Sequence, residues 1–89
     1  MRAIITVIGT DRIGIIHAVS GVLAECSVNI LDISQTIMQD MFVMMMLVDL
    51  EKASVPFGEL SEKLDKTGTE LGVQVKIQHE NIFHSMHRI

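Results

Sequence analysis

The sequence predicts an α+β domain in which two helices cover one face of a four-stranded antiparallel sheet. Three observations point there. The hydrophobic spacing switches between period two and period 3.6 in the order strand, helix, strand, strand, helix, strand. The first and third strands are apolar on both sides, as central strands are. The chain has 89 residues, the size of a single core, so we read residues 1–89 as one domain.

Residues 2–8 are β-branched and apolar up to Gly9, which gives the first strand. Over residues 13–26 the period changes: Ile16, Val19, Leu23 and Cys26 follow one helical stripe, widened by Ile15 and Val22. Residues 28–38 return to period two, with Leu31, Ile33 and Ile37 on a drier side and Asp32, Ser34 and Thr36 on a wetter one. Gln39-Asp40 reads as a tight reversal into residues 41–50, a strand whose alternate positions are apolar on both sides. Ser54 is a candidate cap for the second helix, with Pro56 tolerated in its first turn. Phe57, Leu60, Leu64 and Leu71 form its buried side, and Gly72 suits a left-handed stop. Val73, Val75 and Ile77 alternate with Gln74, Lys76 and Gln78, an edge-type strand. Residues 81–89 complete the pattern as a short C-terminal helix carrying Ile82, Phe83, Met86 and Ile89.

This βαββαβ order is that of the split-βαβ, ferredoxin-like sandwich, with both helices on one face and the first and third strands central. The second face of the third strand then needs cover, from the C-terminal helix or from a second subunit. Apolar residues are 48% of the chain, about 55% with glycine, against roughly 45–50% in ordinary soluble domains. Mean hydropathy is +0.41. A small domain leaves much of its surface in water, so this excess predicts a homodimer or higher homo-oligomer.

Several function classes fall away. The longest apolar run, residues 41–48, is well short of the ~20 needed to cross a bilayer, and the N-terminus reads as a strand and not as a signal peptide, so we expect no membrane association and a cytoplasmic location. Net charge is −4, with no Lys/Arg cluster to meet phosphates, which argues against direct nucleic-acid binding. Cys26 is alone and reads as a small buried hydrophobe. No nucleophile with a base, no paired acids and no cofactor loop are evident, so neither an enzyme nor a bound cofactor is expected.

The chemistry that remains lies between the first strand and first helix, in Gly9-Thr10-Asp11-Arg12-Ile13-Gly14. It is no phosphate loop: Asp11 stands where a dinucleotide fingerprint needs glycine, and no Walker lysine follows Gly14. A helix start there leaves unpaired N–H groups near Ile13, Gly14 and Ile15 that favour a small carboxylate. Asp11 can cap that start and face an ammonium group, and Arg12 can add to the carboxylate contact. Asn29, opening the second strand, both donates and accepts, and can reach the same end of the fold in a neighbouring subunit. The plainer alternative assigns Gly9 and Gly14 to turn geometry, Asp11 to capping, Asn29 to a turn and Arg12 to solvent.

The stretch I-T-V-I-G-T-D-R-I-G-I-I, followed by L-A-E-C-S-V-N-I-L-D-I-S-Q-T, resembles the ACT domain, in particular small stand-alone ACT proteins related to the glycine-cleavage-system repressor family. The resemblance extends over essentially the whole chain, including the methionine-rich third strand and the tail I-F-H-S-M-H-R-I. It implies a dimer that binds an amino acid or similar small effector at the subunit seam and passes its occupancy to a regulatory protein partner. Carried onto this chain, it implies Gly9, Asp11, Arg12, Gly14, Asn29 and Ile30 as ligand-binding residues, beside Ile13 from the helix start. Where that family usually has glycine before its X-N-I stretch, this chain has Ser27, and a left-handed turn there costs a non-glycine residue ~1 kcal/mol. Rival readings are an interaction subunit with no small ligand, and a divalent-metal site made of Glu80, His84 and His87 at i, i+4, i+7, with His79 just before it. His17 has no partner for a triad and reads as a surface or interface residue.

Overall fold

The computed structural model describes residues 1–81, and the C-terminal helix expected over residues 81–89 lies outside them beyond its first position. Six elements follow in order: β1 (Arg2–Thr10), α1 (Ile15–Glu25), β2 (Asn29–Met38), β3 (Met41–Asp49), α2 (Phe57–Leu71) and β4 (Val73–His79). The sheet runs β2-β3-β1-β4, with every neighbouring pair antiparallel. This is the ferredoxin-like arrangement, with β1 and β3 central. No helix among the described residues is long and apolar enough to cross a membrane.

The core lies between the sheet and the two helices. Ala3, Ile5 and Val7 of β1 line up in register with Val48, Met46 and Met44 of β3, and all six are fully buried. Val75 and Ile77 of β4 continue the same layer. Helix α1 meets it with Ile15, Val19, Leu23 and the following Cys26, and α2 with Leu60 and Leu64. Each buried Val, Leu, Ile or Met side chain among these contributes ~1.5–3 kcal/mol by leaving water. The α1 stripe is therefore set by Ile15, one residue earlier than the expected Ile16, which is exposed. The helix begins at Ile15, so Ile16 stands in its first turn on the side away from the sheet.

Two further expectations are corrected. Ser54 does not cap α2: Pro56 holds the cap position in extended backbone and no side chain supplies a cap hydrogen bond. The Ser54 N–H instead donates to the Cys26 carbonyl at 2.8 Å, which ties the β3–α2 connection to the end of α1. The drier side of β2 is also not buried within the chain. Leu31, Ile33 and Ile37 are 44%, 43% and 52% exposed, because β2 is an edge strand beyond the cover of both helices. A bulge between Ile30 and Asp32 shifts its register on β3.

Other local signals act as the sequence suggests. Gly72 ends α2 at φ 73, and Gln39 takes φ 58 in the β2–β3 reversal. Gly9 has a packing cause: a Cβ there would come within 2.5 Å of the Val73 side chain and 3.0 Å of its backbone, because β1 and β4 approach closely at this pair.

Met44→Ala should lower the unfolding free energy by about 2–5 kcal/mol, measured by urea titration at fixed protein concentration, because it empties a fully buried site at the sheet's centre. Gly9→Ala should cost about 1–3 kcal/mol by overpacking. Gly21→Ala, where an added Cβ meets nothing within 4 Å inside α1, should instead stabilise by about 0.5–1 kcal/mol.

Candidate functional site

The loop from Thr10 to α1 is fastened on two sides. The Asp11 N–H donates to the Asp40 carbonyl at 2.8 Å, joining the loop to the β2–β3 reversal. The Arg12 guanidinium donates to the Leu71 carbonyl at 2.7 Å. Leu71 is the last residue of α2, whose terminal carbonyls lack helical partners and carry the negative end of the helix dipole, so a cation there is doubly suited. Arg12 is exposed, and one of its guanidinium nitrogens is taken by this contact while its other N–H donors are left over. Asp11 is not the helix cap. Gly14 occupies that position in the left-handed region at φ 93, and no side chain bonds to the start of α1.

The result is a loop tethered at two points that leads to a helix start with no side-chain cap. The first bond of the helix runs from the Ala18 N–H to the Gly14 carbonyl at 2.9 Å, so the amides of Ile15, Ile16 and His17 precede it. The first turn carries no acidic residue. Ile13 is fully exposed at the loop's tip, with relative accessibility of 103%. The fold gives no packing reason for a large apolar residue there.

Asn29 and Ile30 lie elsewhere. Ser27 adopts φ 58, the left-handed turn expected of it, and donates its N–H to the Ala24 carbonyl at 3.2 Å as α1 closes. Asn29 then lines an open polar cleft of about 470 Å³ with Ser27, Asp49, Glu51 and Lys52. The Asp49 carboxylate accepts the Glu51 N–H at 2.9 Å and stands 3.8 Å from the N-terminal ammonium. Ile30 packs its side chain against the core and pairs with Val48 in the sheet. Asn29 is in register with Asp49, which pairs with Arg2, while Gly9 pairs with Phe42 and Val73. Arg2 and Gly9 are seven residues apart on β1, about 23 Å at ~3.3 Å per residue. Within one chain, the structure brings Gly9, Asp11, Arg12, Ile13 and Gly14 together and places Asn29 and Ile30 at the opposite end.

The metal alternative gains no support among the described residues, which contain no group of three metal-ligating side chains. Glu80 instead binds Arg2 with both carboxylate oxygens, at 2.5 Å to Nε and 2.9 Å to Nη2. Hydrogen bonding to Glu80, reinforced by its charge, raises the Arg2 pKa above the ordinary guanidinium value. That contribution is complete below the ordinary value and is lost only in solution more alkaline than it, so the pair is constant near neutrality. His79 stacks on Phe57 with ring centroids 4.2 Å apart. His84 and His87 lie outside the described residues. Cys26 is a buried free thiol, and His17 is exposed.

Sequence reasoning missed the Arg12–Leu71 and Arg2–Glu80 contacts and the acidic neighbours of Asn29. The first two pairs are 59 and 78 residues apart in the chain, so no local spacing signals them. The cleft beside Asn29 follows from strand register, which places Asp49 next to it.

Comparison with known proteins agrees with this geometry. The ACT-domain family model matches residues 2–78. A UPF0237 protein of Methanocaldococcus jannaschii is 58% identical over 88 residues, covering 99% of this chain and 98% of its own. A solved ACT domain protein from Streptococcus pneumoniae superposes with a TM-score of 0.81 at 42% identity, covering 93% of each chain. A putative glycine cleavage system transcriptional repressor has a similar fold, with a TM-score of 0.73 at 23% identity over 86% of this chain and 44% of that one. With the βαββαβ sheet and the glycine loop already described, the match over residues 2–78 places this chain in the ACT-domain family.

Proposed function

We propose that this chain is a non-enzymatic regulatory module that pairs side by side with a second copy through β2 and binds an amino-acid-like effector in the seam. The separation of the candidate residues to the two ends of the sheet carries the reading. A two-fold axis that lays β2 antiparallel to the partner's β2 brings Asn29 of one copy toward the reversal end of the other. Through the Asp11–Asp40 bond, that end carries the glycine loop. The exposed Leu31, Ile33 and Ile37 supply an apolar reason for such pairing.

In this arrangement the uncapped amides of α1 receive the effector's carboxylate. The Asp11 carboxylate and the Asn29 amide face its ammonium group. Arg12 acts at a distance by holding the loop on α2, and Ile13 offers an apolar contact beside the ligand. An effector touching both copies favours the dimer geometry it fits, by its differential affinity and no more, and that shift is what a regulatory protein partner reads. The cytoplasm, where free amino acids are abundant, is the compartment we assign.

A second reading, an interaction subunit without a small ligand, is favoured by one observation. Gly9, Gly14 and Arg12 each have a structural cause in close packing, left-handed backbone and helix capping.

Light scattering at micromolar concentration should give a mass of at least two chains, and Ile33→Lys should shift it toward one. Calorimetry against the standard amino acids should find a binder, and Asn29→Ala should weaken it about tenfold or more, roughly 1.4 kcal/mol, with the mass unchanged. Silence across the whole set favours the interaction subunit. Unaltered affinity in Asn29→Ala removes Asn29 from the site.

A further inference from the structure

The strand register fixes what lies between the two halves of the seam site. At the level of the glycine loop, Gly9 on β1 pairs with Phe42 on β3, and Phe42 pairs with Ile37 on β2. Side chains directly opposite each other on neighbouring strands share one face of the sheet. Phe42 is buried beneath the helices, so Ile37 is on the helix side too, yet it is 52% exposed. Beyond Ile37 comes the open β2 edge. A ligand that spans from the start of α1 to Asn29 of a second copy must therefore lie over Ile37.

A second large apolar side chain stands on the same route. Ile13, at the tip of the loop, is fully exposed and belongs with Ile37 to the apolar residues left outside the core. One lies at the ligand's side and the other beneath it. The fixed charges at this end are the exposed carboxylates of Asp11 and Asp40, joined through the Asp11 N–H and the Asp40 carbonyl, against the single guanidinium of Arg12. Of these, Asp11 is already assigned to the ligand's ammonium group and Arg12 to Leu71. A second carboxylate on the ligand would enter a surplus of its own sign. A charged side chain of either sign laid on Ile13 and Ile37 would give up water for atoms that cannot hydrogen-bond.

We propose, resting on the seam reading above, that the effector is an α-amino acid with an apolar side chain, which lies on Ile13 and Ile37 while the amides of α1 hold its carboxylate. Ile13 and Ile37 are then the residues that set specificity. The backbone groups around them hold what every amino acid shares.

Calorimetry on the full chain tests this by comparing leucine, isoleucine, valine, methionine and phenylalanine with glycine, alanine, serine, aspartate, glutamate and lysine. The tightest of the apolar group should bind about tenfold or more better than alanine, the scale on which a few added methylenes discriminate. Ile13→Ser should bring that ratio to within about twofold, by weakening the apolar ligand while the affinity for alanine and the mass by light scattering stay unchanged. Ile37→Ser should lower the same ratio. Equal weakening of both ligands in Ile13→Ser, or a fall in its mass, makes Ile13 a structural or subunit contact and overturns the proposal. Glycine, serine or a charged amino acid as the tightest binder also overturns it, and leaves the seam reading standing. Silence from all of them removes the seam reading and this inference with it.

Discussion

Two helices are too little cover for this sheet, and the rest of the molecule follows from that shortage. The ten-residue β2 extends beyond the helices with four large apolar side chains exposed, Leu31, Ile33, Ile37 and Met38. The central strands are closed on one face by α1 and α2 and remain apolar on the other. Apolar surface is thus left in two places, at the β2 edge and on the outer face. The two are different problems, one at an edge that offers unpaired backbone and one on a face that offers side chains.

The same constraint organises the candidate site. Within a single chain the glycine loop and Asn29 are held apart by the length of the sheet, so neither alone surrounds a ligand. What the fold does provide is a tethered loop, joined to the β2–β3 reversal through Asp11 and to the end of α2 through Arg12. An occupied helix start would therefore be linked mechanically to the strand reversal next to the β2 edge. A ligand and a partner subunit would act on the same short stretch of backbone, which gives their coupling a physical route.

Much of this was legible in the residues. Period-two and period-3.6 spacing gave the element order, and the doubly apolar β1 and β3 gave their central places. Gly72 and Gln39 marked turns that the backbone does adopt with positive φ. The errors lay where tertiary context decides. Ile16 and Ile15 both fit a helical stripe, and the exact start of α1, set by the left-handed Gly14, selects Ile15. Ser54 has the chemistry of a cap, yet its N–H is drawn to Cys26 and the helix begins after Pro56. Alternation in β2 correctly separates two sides but cannot report that no helix reaches them. In the site, the grouping of residues 9–14 follows from adjacency in sequence. The engagement of Arg12 by Leu71 required the fold, because it joins the start of one helix to the end of another.

Shared construction of the site between two copies is the central claim, and a mixing experiment tests it most directly. Asp11→Ala removes the loop's carboxylate and Asn29→Ala removes the opposite half, so dimers of either variant alone should bind the effector about tenfold or more weakly, with no sites left at the unaltered affinity. When the two are mixed and allowed to exchange subunits, each mixed dimer regenerates one intact site, and the capacity at the unaltered affinity should return to about one quarter of the unaltered protein's for random pairing. No recovery from variants that still exchange subunits would contradict a site built from both copies.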